Sequence, residues 1–401
     1  MKKTIFIITV GLIIFAGSLR AQVAEEMKYR RSSIYSLMVE HESQKFAYEI
    51  AREFINMPVP DKYNDHDLSV KVVSVDTKKV KEDEIGDFLD RNGVASRLVA
   101  KWFDRDFTNG VCDVDLIRER GLYNASEMDK AIARQSVRGQ AMLEDAGEEL
   151  IGNTFVIVSD IRYVDKSKIG KAIGAVAKIG GAVAAVATQN TDYLDLGFST
   201  GNLAETYKGF KVKVFTYLYQ LIWDDDTAGE FYKNMYADQP DEEKRAYMES
   251  HRDLFKLKYV GKQESSGSTT SFLGIKEDEP EMMVRKACQR ALDENVADLQ
   301  KNFDEFKVKV PLLTTEPYTA QIGKKEGITG KSKFEVLEVS EKDGRREYKR
   351  VGVIRAIEDR IWDNRFMAEE ERAEGANLGC TTFKKVSGGD FYPGMLIREI
   401  K

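Results

Sequence analysis

Few residues of this chain stand in a spacing that could support metal or nucleotide chemistry. His41-Glu42 begins like the HExxH motif of zinc proteases, but position 45 is Lys, so the second histidine that would share the metal is missing. Residues 327–332 end like a phosphate-binding P-loop. The first glycine of that motif would fall at position 325, which is Lys, and the residues that follow predict a strand instead of the required helix. Neither segment therefore predicts a metal or nucleotide site.

The sequence gives little support for hydrolase chemistry. The chain contains no SxxK sequence, the motif in which a serine nucleophile is followed by a lysine. Its three histidines are His41, His66 and His251, and we interpret them as surface or hydrogen-bonded structural residues. We predict that the protein is not an enzyme and uses no cofactor or metal. An enzyme whose motif escapes recognition is kept as a third class of function.

Two polar clusters could attract a cation or a ligand. The acidic run 224–226 lacks calcium-loop spacing, because Ala228 and Met235 occupy the fifth and twelfth positions. We interpret these carboxylates as caps of the next helix. Residues 61–66 read Asp-Lys-Tyr-Asn-Asp-His. They form either a turn held by side-chain hydrogen bonds or a ligand site.

The Gly- and Ala-rich segment 166–189 has small residues at helical spacing. Gly170 and Gly174 are four residues apart, as are Gly181 and Ala185. Such rows let helix backbones approach closely, whereas a Gly-rich helix alone in water is weak. We therefore predict that this helix is covered by the protein's own core, by another protein or a second copy, or by lipid. These four residues are our candidate interaction site.

The elements around these residues follow from hydrophobic spacing and from turn residues. Helices are predicted over 25–57, 82–104 (broken near Asn92-Gly93), 127–150, 227–236, 240–252 and 280–302. Strands are predicted over 67–76, 153–163, 209–223, 254–262, 306–312, 332–340, 345–357, 380–387 and 395–400. Residues 265–271 predict a polar loop, and Asp343-Gly344 predicts a hairpin turn.

These elements predict a multidomain α+β protein. We expect an N-terminal helical segment over 22–66 and a mixed α/β middle domain over 67–316, which contains the 166–189 insertion. Pro317 marks a change to short strands, so residues 317–401 predict a small β-barrel of SH3-like or OB-like size.

Residues 1–21 have the layout of a secretory signal peptide, with Lys2-Lys3, an apolar stretch and Ala21 before the expected cut. The apolar stretch is shorter than the roughly 20 residues that span a bilayer, which favours cleavage over a retained anchor. Gln22 after the cut resembles exported proteins of Bacteroidetes-type bacteria. We expect export to the periplasm, or attachment at the outer membrane.

Charge and cysteine content narrow the partners further. The net charge is −6 and becomes more negative once Lys2, Lys3 and Arg20 are removed, which argues against nucleic acid as a partner. An exported chain meets oxidising conditions, so one disulfide is an option, but an odd number of cysteines leaves a thiol over. Buried thiols are the favoured interpretation for these cysteines: Cys112, Cys288 and Cys380.

Two passages resemble known envelope proteins. Residues 145–150 (DAGEEL) lead into the predicted strand 155–160 (FVIVSD), which resembles the helix-then-strand passage of curli-secretion-channel (CsgG-like) domains. Residues 351–356 (VGVIRA) and 390–397 (DFYPGMLI) resemble the closing barrel of flagellar assembly protein T. The channel family carries a lipidated Cys that is missing here. The resemblance implies a non-enzymatic envelope protein that acts through interfaces.

We therefore expect an exported assembly or adaptor component that contacts other envelope proteins or a second copy of itself, with peripheral membrane contact through 166–189 as a further option. The alternative is a secreted binding module for a small ligand or glycan. Its pocket could be lined by aromatic side chains of the 215–223 face, although the favoured interpretation of these large residues is the core: Tyr217, Tyr219 and Trp223.

Overall fold

The structure is a computed structural model that describes residues 32–60, 62–74, 80–113, 117, 147–164, 211–268, 280–307, 309–342, 345–365, 368 and 378–400. The predicted signal peptide, the 166–189 segment, the Asp343-Gly344 turn and most of the predicted helix 127–150 lie outside these residues. The last turns of that helix, residues 147–152, are described and helical.

The chain is an α+β protein with two β-sheets, as predicted. The strands and helices up to Asn302 whose bounds the structure describes in full are β1 (Ser32–Glu40), α1 (Ala47–Ile55), β2 (Tyr63–Asp65), β3 (Val72–Ser74), α2 (Glu82–Arg91), α3 (Val94–Trp102), β4 (Thr154–Val164), β5 (Lys211–Leu221), α4 (Asp225–Asn234), α5 (Glu242–Ser250), β6 (Leu257–Ser268) and α6 (Pro280–Asn302). The first sheet has the order β2-β1-β4-β5-β6, and β3 also pairs with β1.

The first sheet is parallel at one end and antiparallel at the other. β1 runs parallel to β2, β3 and β4, whereas β4, β5 and β6 are antiparallel. Helices α2 to α5 cover one face, where Leu89, Leu98 and Phe231 share a core with Val156 and Val158 of β4. The other face packs against α1 and α6. Helices therefore bury both faces, which accounts for the continuous apolar run of β4.

The predicted helix over 25–57 is wrong for its described first half, which is strand β1. Ile34, Leu37 and Met38 match the three- and four-residue spacing of a helix, which explains the error. In the structure they are almost fully buried in a strand whose two faces both meet protein. A strand of this kind lacks alternation. The expected helical segment over 22–66 thus contributes a central strand as well as helix α1.

A second prediction fails at residues 265–271, whose described part belongs to strand β6 and not to a polar loop. The small side chains there allow α6 to lie very close. A Cβ atom on Gly267 would overlap the backbone oxygen of Ala287 and lie 2.9 Å from the amide nitrogen of Ala291. Ser265 donates its hydroxyl to the carbonyl oxygen of Ala291 (2.7 Å). Tertiary packing overrides the weak strand propensity of these residues.

The second sheet is antiparallel and curls into a half-barrel. Its strands are β7 (Val310–Pro311), β8 (Thr314–Thr315), β9 (Tyr318–Ala320), β10 (Lys333–Lys342), β11 (Arg345–Ala356), β12 (Thr381–Gly388) and β13 (Leu396–Ile400). The order is β7-β13-β10-β11-β12-β9-β8. Phe334, Ile354 and Phe383 lie in its core. The long strands confirm the predictions for 332–400, whereas 306–312 forms only a 3-10 turn and β7.

Helix α6 connects the two sheets. It packs on β5 and β6 of the first sheet and on α1. It also contacts the 3-10 turn Lys324–Glu326, which lies between β9 and β10 of the second sheet. Lys325 Nζ lies 3.7 Å from Asp293 Oδ1 of the helix. The second sheet already begins at Val310, before Pro317. The division of the chain into domains stays a prediction.

Candidate functional site

The four residues predicted for association are Gly170, Gly174, Gly181 and Ala185, and all lie outside the described residues. One further motif escaped the sequence reasoning: residues 197–201 read Gly-Phe-Ser-Thr-Gly, the spacing of a hydrolase nucleophile elbow. This motif, with its central Ser199, also lies outside the described residues.

The aromatic residues considered for a ligand pocket lie in or against the core, which is the interpretation that the sequence favours. Tyr217 and Tyr219 are almost fully buried. The Tyr217 hydroxyl donates a hydrogen bond to the carbonyl oxygen of Val80, and the Tyr219 hydroxyl donates one to that of Glu82; both O···O distances are 3.1 Å. Trp223 packs against Phe231 in the same core. The two tyrosines are thus buried and hydrogen-bonded within the protein, whereas the buried indole nitrogen of Trp223 has no hydrogen-bond partner among the described residues.

The acidic run 224–226 caps a helix, as predicted. Asp224 is the N-cap of α4, and its carboxylate accepts a 2.9 Å hydrogen bond from the backbone N–H of Thr227. That hydrogen bond holds the pKa of Asp224 below its usual value. The P-loop-like residues 327–332 lead into strand β10, which confirms the predicted strand.

The histidines occupy structural positions. His66 is fully buried, with Nε2 3.0 Å from the carbonyl oxygen of Leu98, and its ring packs on Trp102. His251 stacks on Tyr247. His41 is the exception, because it touches a buried carboxylate. Its Nε2 lies 2.6 Å from Oδ1 of Asp160.

Asp160 lies at the centre of a charged cluster near the carboxyl ends of β1 and β4. It is 1% exposed. Arg162 donates to it from both Nε and Nη2. Burial alone would raise the pKa of Asp160, but the hydrogen bonds from His41 and Arg162 outweigh burial, so the pKa lies below its usual value. The contact between His41 and Asp160 joins the loop after β1 to β4, and Arg162 of β4 supports the Asp160 carboxylate.

Gln44, in the same loop, also binds the loop to β4. Its side-chain nitrogen donates to the carbonyl oxygen of Ile161 (3.1 Å), and its oxygen accepts from the backbone N–H of Tyr163 (3.0 Å). The loop is thereby joined to the backbone of β4 as a short strand would be. We interpret the His41–Asp160–Arg162 cluster as a structural clasp.

A cleft on the opposite face of the first sheet is the better candidate for a ligand. The first residues of β1 pair with β2 and the last with β3, which leaves a gap beside Ser36. Helices α1 and α6 close over that gap. The apolar wall includes Phe54, Met57, Pro58, Ile157, Leu292 and Val296. We call this space the Asp293 cleft. Its polar residues are Ser36, Asp65, Asp67, Lys71, Ser159, Gln289 and Asp293.

Asp293 is a buried carboxylate that lines this cleft. The residue is 6% exposed. Oδ1 accepts from the Gln289 side chain (3.3 Å) and faces Lys325 (3.7 Å), whereas Oδ2 is buried and receives no hydrogen bond. Burial raises the pKa of Asp293 to about 6, although Lys325 and Gln289 both act to lower it. A buried polar atom without a partner is uncommon and calls for an explanation.

The polar cluster 61–66 contributes one residue to this cleft. Tyr63–Asp65 is strand β2, and Asp65 lines the cleft. Tyr63 is buried and accepts from the side chain of Gln300 (2.8 Å). The turn nearby follows the cluster: the carboxylate of Asp67 accepts a 2.9 Å hydrogen bond from the backbone N–H of Ser69. A ligand site at the cluster stays a prediction.

The described residues hold neither a ready metal site nor a membrane-spanning helix. Within them, no three His, Cys, Asp or Glu side chains converge closely enough to hold a metal ion. None of their helices combines the length and apolar character needed to cross a bilayer. The three cysteines, Cys112, Cys288 and Cys380, are free thiols. No known family model matches the chain, and no curated protein is significantly similar to it.

Proposed function

We propose that the protein is a non-enzymatic exported component of the cell envelope that acts as an assembly factor or adaptor through protein–protein contacts. The observation that carries this proposal is strand β6, a 12-residue strand at the edge of the first sheet. Long edge strands are templates for pairing with another chain. Addition of a strand to such an edge is a recurring mode of protein recognition.

The two sides of β6 differ in a way that suits this role. Ser265 and Gly267 lie against α6, and Gly261 lies against Phe303, the residue after that helix. One edge pairs with β5, and among the described strands none pairs with the other edge. Lys258 and Lys262 are exposed along the strand. Such charges discourage indiscriminate pairing and favour a partner of complementary charge.

The resemblance stated above supports the same class of function. The CsgG-like passage 155–160 lies in β4, and the passages similar to flagellar assembly protein T lie in β11 and at β13. We propose that the curled sheet is a small barrel of SH3-like or OB-like type. Its outermost strands, β7 and β8, are adjacent in sequence and bring the two ends of the sheet together in the chain. Export to the periplasm or outer membrane is part of this proposal.

The native mass of the protein isolated from the envelope of its producing cells tests the proposal. We expect a discrete complex, larger than one chain, by light scattering coupled to size exclusion, with and without detergent. Gly174→Leu should reduce that mass if the 166–189 segment contributes a close helix contact. A mass of one chain in both conditions would contradict an assembly role. Ala172→Leu, in the same segment but outside the small-residue rows, is the matched control.

The alternative function, a binding module for a small ligand, is supported by the Asp293 cleft. The cleft is too small for a glycan, since its volume is about 60 Å³ and pockets that enclose drug-sized ligands measure roughly 300–1,000 Å³. Its chemistry is argued next.

A further inference from the structure

We propose that the Asp293 cleft binds a primary ammonium group carried on a short alkyl chain. This site does not depend on the assembly role, because a small amine could occupy it in an isolated chain. The inference begins with an oxygen that has no partner: Oδ2 of Asp293, on a side chain that lines the cleft and whose residue is 6% exposed. An unpaired buried acceptor costs free energy that an incoming N–H donor would recover.

The charge around the cleft favours a cation. Three carboxylates line it, Asp65, Asp67 and Asp293, against one lysine, Lys71. That lysine lies 3.9 Å from Asp67, so it offsets a charge at the mouth of the cleft. At the other oxygen of Asp293 the chain supplies an ammonium group of its own, from Lys325 at 3.7 Å. The carboxylate thus already accepts this chemistry on one side.

The room available matches a chain of four carbons. The volume of the cleft is about 60 Å³, and a cavity needs roughly 10–15 Å³ to hold one ordered water. Four to six water-sized groups fit, by this order-of-magnitude comparison. Butylammonium has five non-hydrogen atoms. Its carbons would lie against Phe54, Met57 and Leu292, which line the same space.

A guanidinium group fits less well than an ammonium group. Arg binds carboxylates best through two parallel N–H donors that reach both oxygens. Oδ1 of Asp293 already accepts from Gln289 and faces Lys325, so only Oδ2 is left for a ligand. An ammonium group needs a single strong acceptor in that position. A divalent cation would need several convergent oxygen ligands, and no such group exists among the described residues.

The pH dependence follows from the state of Asp293. Burial raises the pKa of this carboxyl to about 6, so it is charged at pH 7.5 and neutral at pH 5. The charged or polar groups that face it or line the adjoining space come from several parts of the chain: Gln289 and Gln300 on its own helix, Ser36 on β1 and Ser159 on β4, Lys62, Tyr63 and Asp65 at β2, Asp67 and Lys71 between β2 and β3, and Lys325 and Glu326 on the 3-10 turn. Ammonium binding should weaken by about tenfold as the pH falls from 7.5 to 5.

Titration of the full chain with n-butylammonium, followed by protein-observed NMR at pH 7.5, tests the proposal. We expect saturable shifts at Ser36 and Leu292 with a Kd of about 1 mM, the scale suited to a five-atom ligand. n-Butanol, which is neutral and of the same length, should bind at least tenfold more weakly. Asp293→Asn should reduce butylammonium binding at least tenfold. Glu294→Gln, an exposed neighbour on the same helix, should leave it unchanged.

A second variant keeps the test decisive if Asp293→Asn alters the helix. Ser36→Leu fills the cleft from the strand side and should also abolish the shifts. Equal binding by the wild type and Asp293→Asn, or no binding at 100 mM amine, would overturn the proposal and leave an ordered water as the partner of Oδ2.

The source of the ammonium group is settled by a third titration. Nα-acetyl-lysine methylamide carries the same four-carbon ammonium chain on a peptide unit. Binding at least as tight as that of butylammonium would assign the cleft to a lysine side chain of a partner protein. Binding of butylammonium without the lysine derivative would assign it to a free amine.

Discussion

Asp293 and Asp160 are both buried aspartates, yet their surroundings shift their pKa values in opposite directions. Asp160 lies beside His41 and receives two hydrogen bonds from Arg162. Asp293 has one amide donor and a lysine at 3.7 Å, and its second oxygen has no partner. The number of donors, and not burial itself, decides which form of the carboxyl the fold prefers.

Asp293→Asn is expected to stabilise the protein above pH 6. The pKa of Asp293 is raised to about 6 in the folded state from about 3.9 in an unfolded chain. The folded state therefore binds the proton more tightly, and the stability due to Asp293 is full below pH 4 and lost as the pH rises through 6. The variant should gain about 1–3 kcal/mol at pH 8. Urea unfolding at pH 4 and pH 8 measures it, and an equal effect at both values would refute the assignment.

Asp160→Asn should have the opposite effect. The pKa of Asp160 is lowered in the folded state, so its contribution is full above pH 4 and is lost as the pH falls through the folded pKa. Loss of the charged acceptor should cost about 2–3 kcal/mol at pH 7. Urea unfolding at pH 7 and at pH 3 gives the comparison. A cost that does not shrink at acid pH would show that geometry, not charge, holds the clasp.

Strand β6 and helix α6 lie in very close contact, and glycine makes that approach possible. Gly267→Ala would place a Cβ atom against the backbone of Ala287 and Ala291, so the helix must move away. We expect a loss of about 1–3 kcal/mol. Gly229→Ala in α4 is the control, because nothing lies within 4 Å of its Cβ position, and it should gain about 0.5–1 kcal/mol. Equal effects in thermal unfolding would refute the close contact.

Several elements that the sequence predicts well have a solvent side. Helices α2, α4 and α5 repeat in step with exposed residues, so their patterns are visible. Strand β4 is also predicted correctly although both its faces are buried, because its short continuous apolar run is rich in β-branched residues. β1 lacks a solvent side as well, but its apolar residues also fit helical spacing, so its sequence predicts a helix. The end of β6 reads as a loop, because the small size of Ser265 and Gly267 serves their closeness to α6, which no local pattern shows.

The candidate cleft is predictable only in part. The cluster 61–66 is identifiable from sequence as either a turn or a ligand site, and Asp65 does line the cleft. Asp293 gives no signal, because it lies on a long helix among other charged residues. The burial of its unpaired oxygen results from packing against strands, helices and a turn that are far apart in the chain. Only tertiary structure brings Ser36, Asp65 and Asp293 together.

At the scale of the whole molecule, Lys325 connects the half-barrel to helix α6 through Asp293. Lys325→Met should destabilise the protein by about 1–3 kcal/mol at pH 8, because it leaves a buried carboxylate without its countercharge. In the background of Asp293→Asn the same change should cost less than half as much. Urea unfolding of the two single variants and the double variant measures this coupling. Additive effects would show that the pair does not link the sheets.

The edge of β6 is the most direct place to test the proposed assembly role. A photo-crosslinking phenylalanine derivative can replace Tyr259, which is 40% exposed on this edge strand, or Phe107, which is 71% exposed on a turn. Both chains would be expressed and irradiated in the producing cells. Strand addition at β6 predicts a discrete crosslinked protein, either a second copy or one partner, from position 259 and much less from the more exposed position 107. Equal crosslinking at both positions, or none at 259, would contradict an adaptor role for this edge.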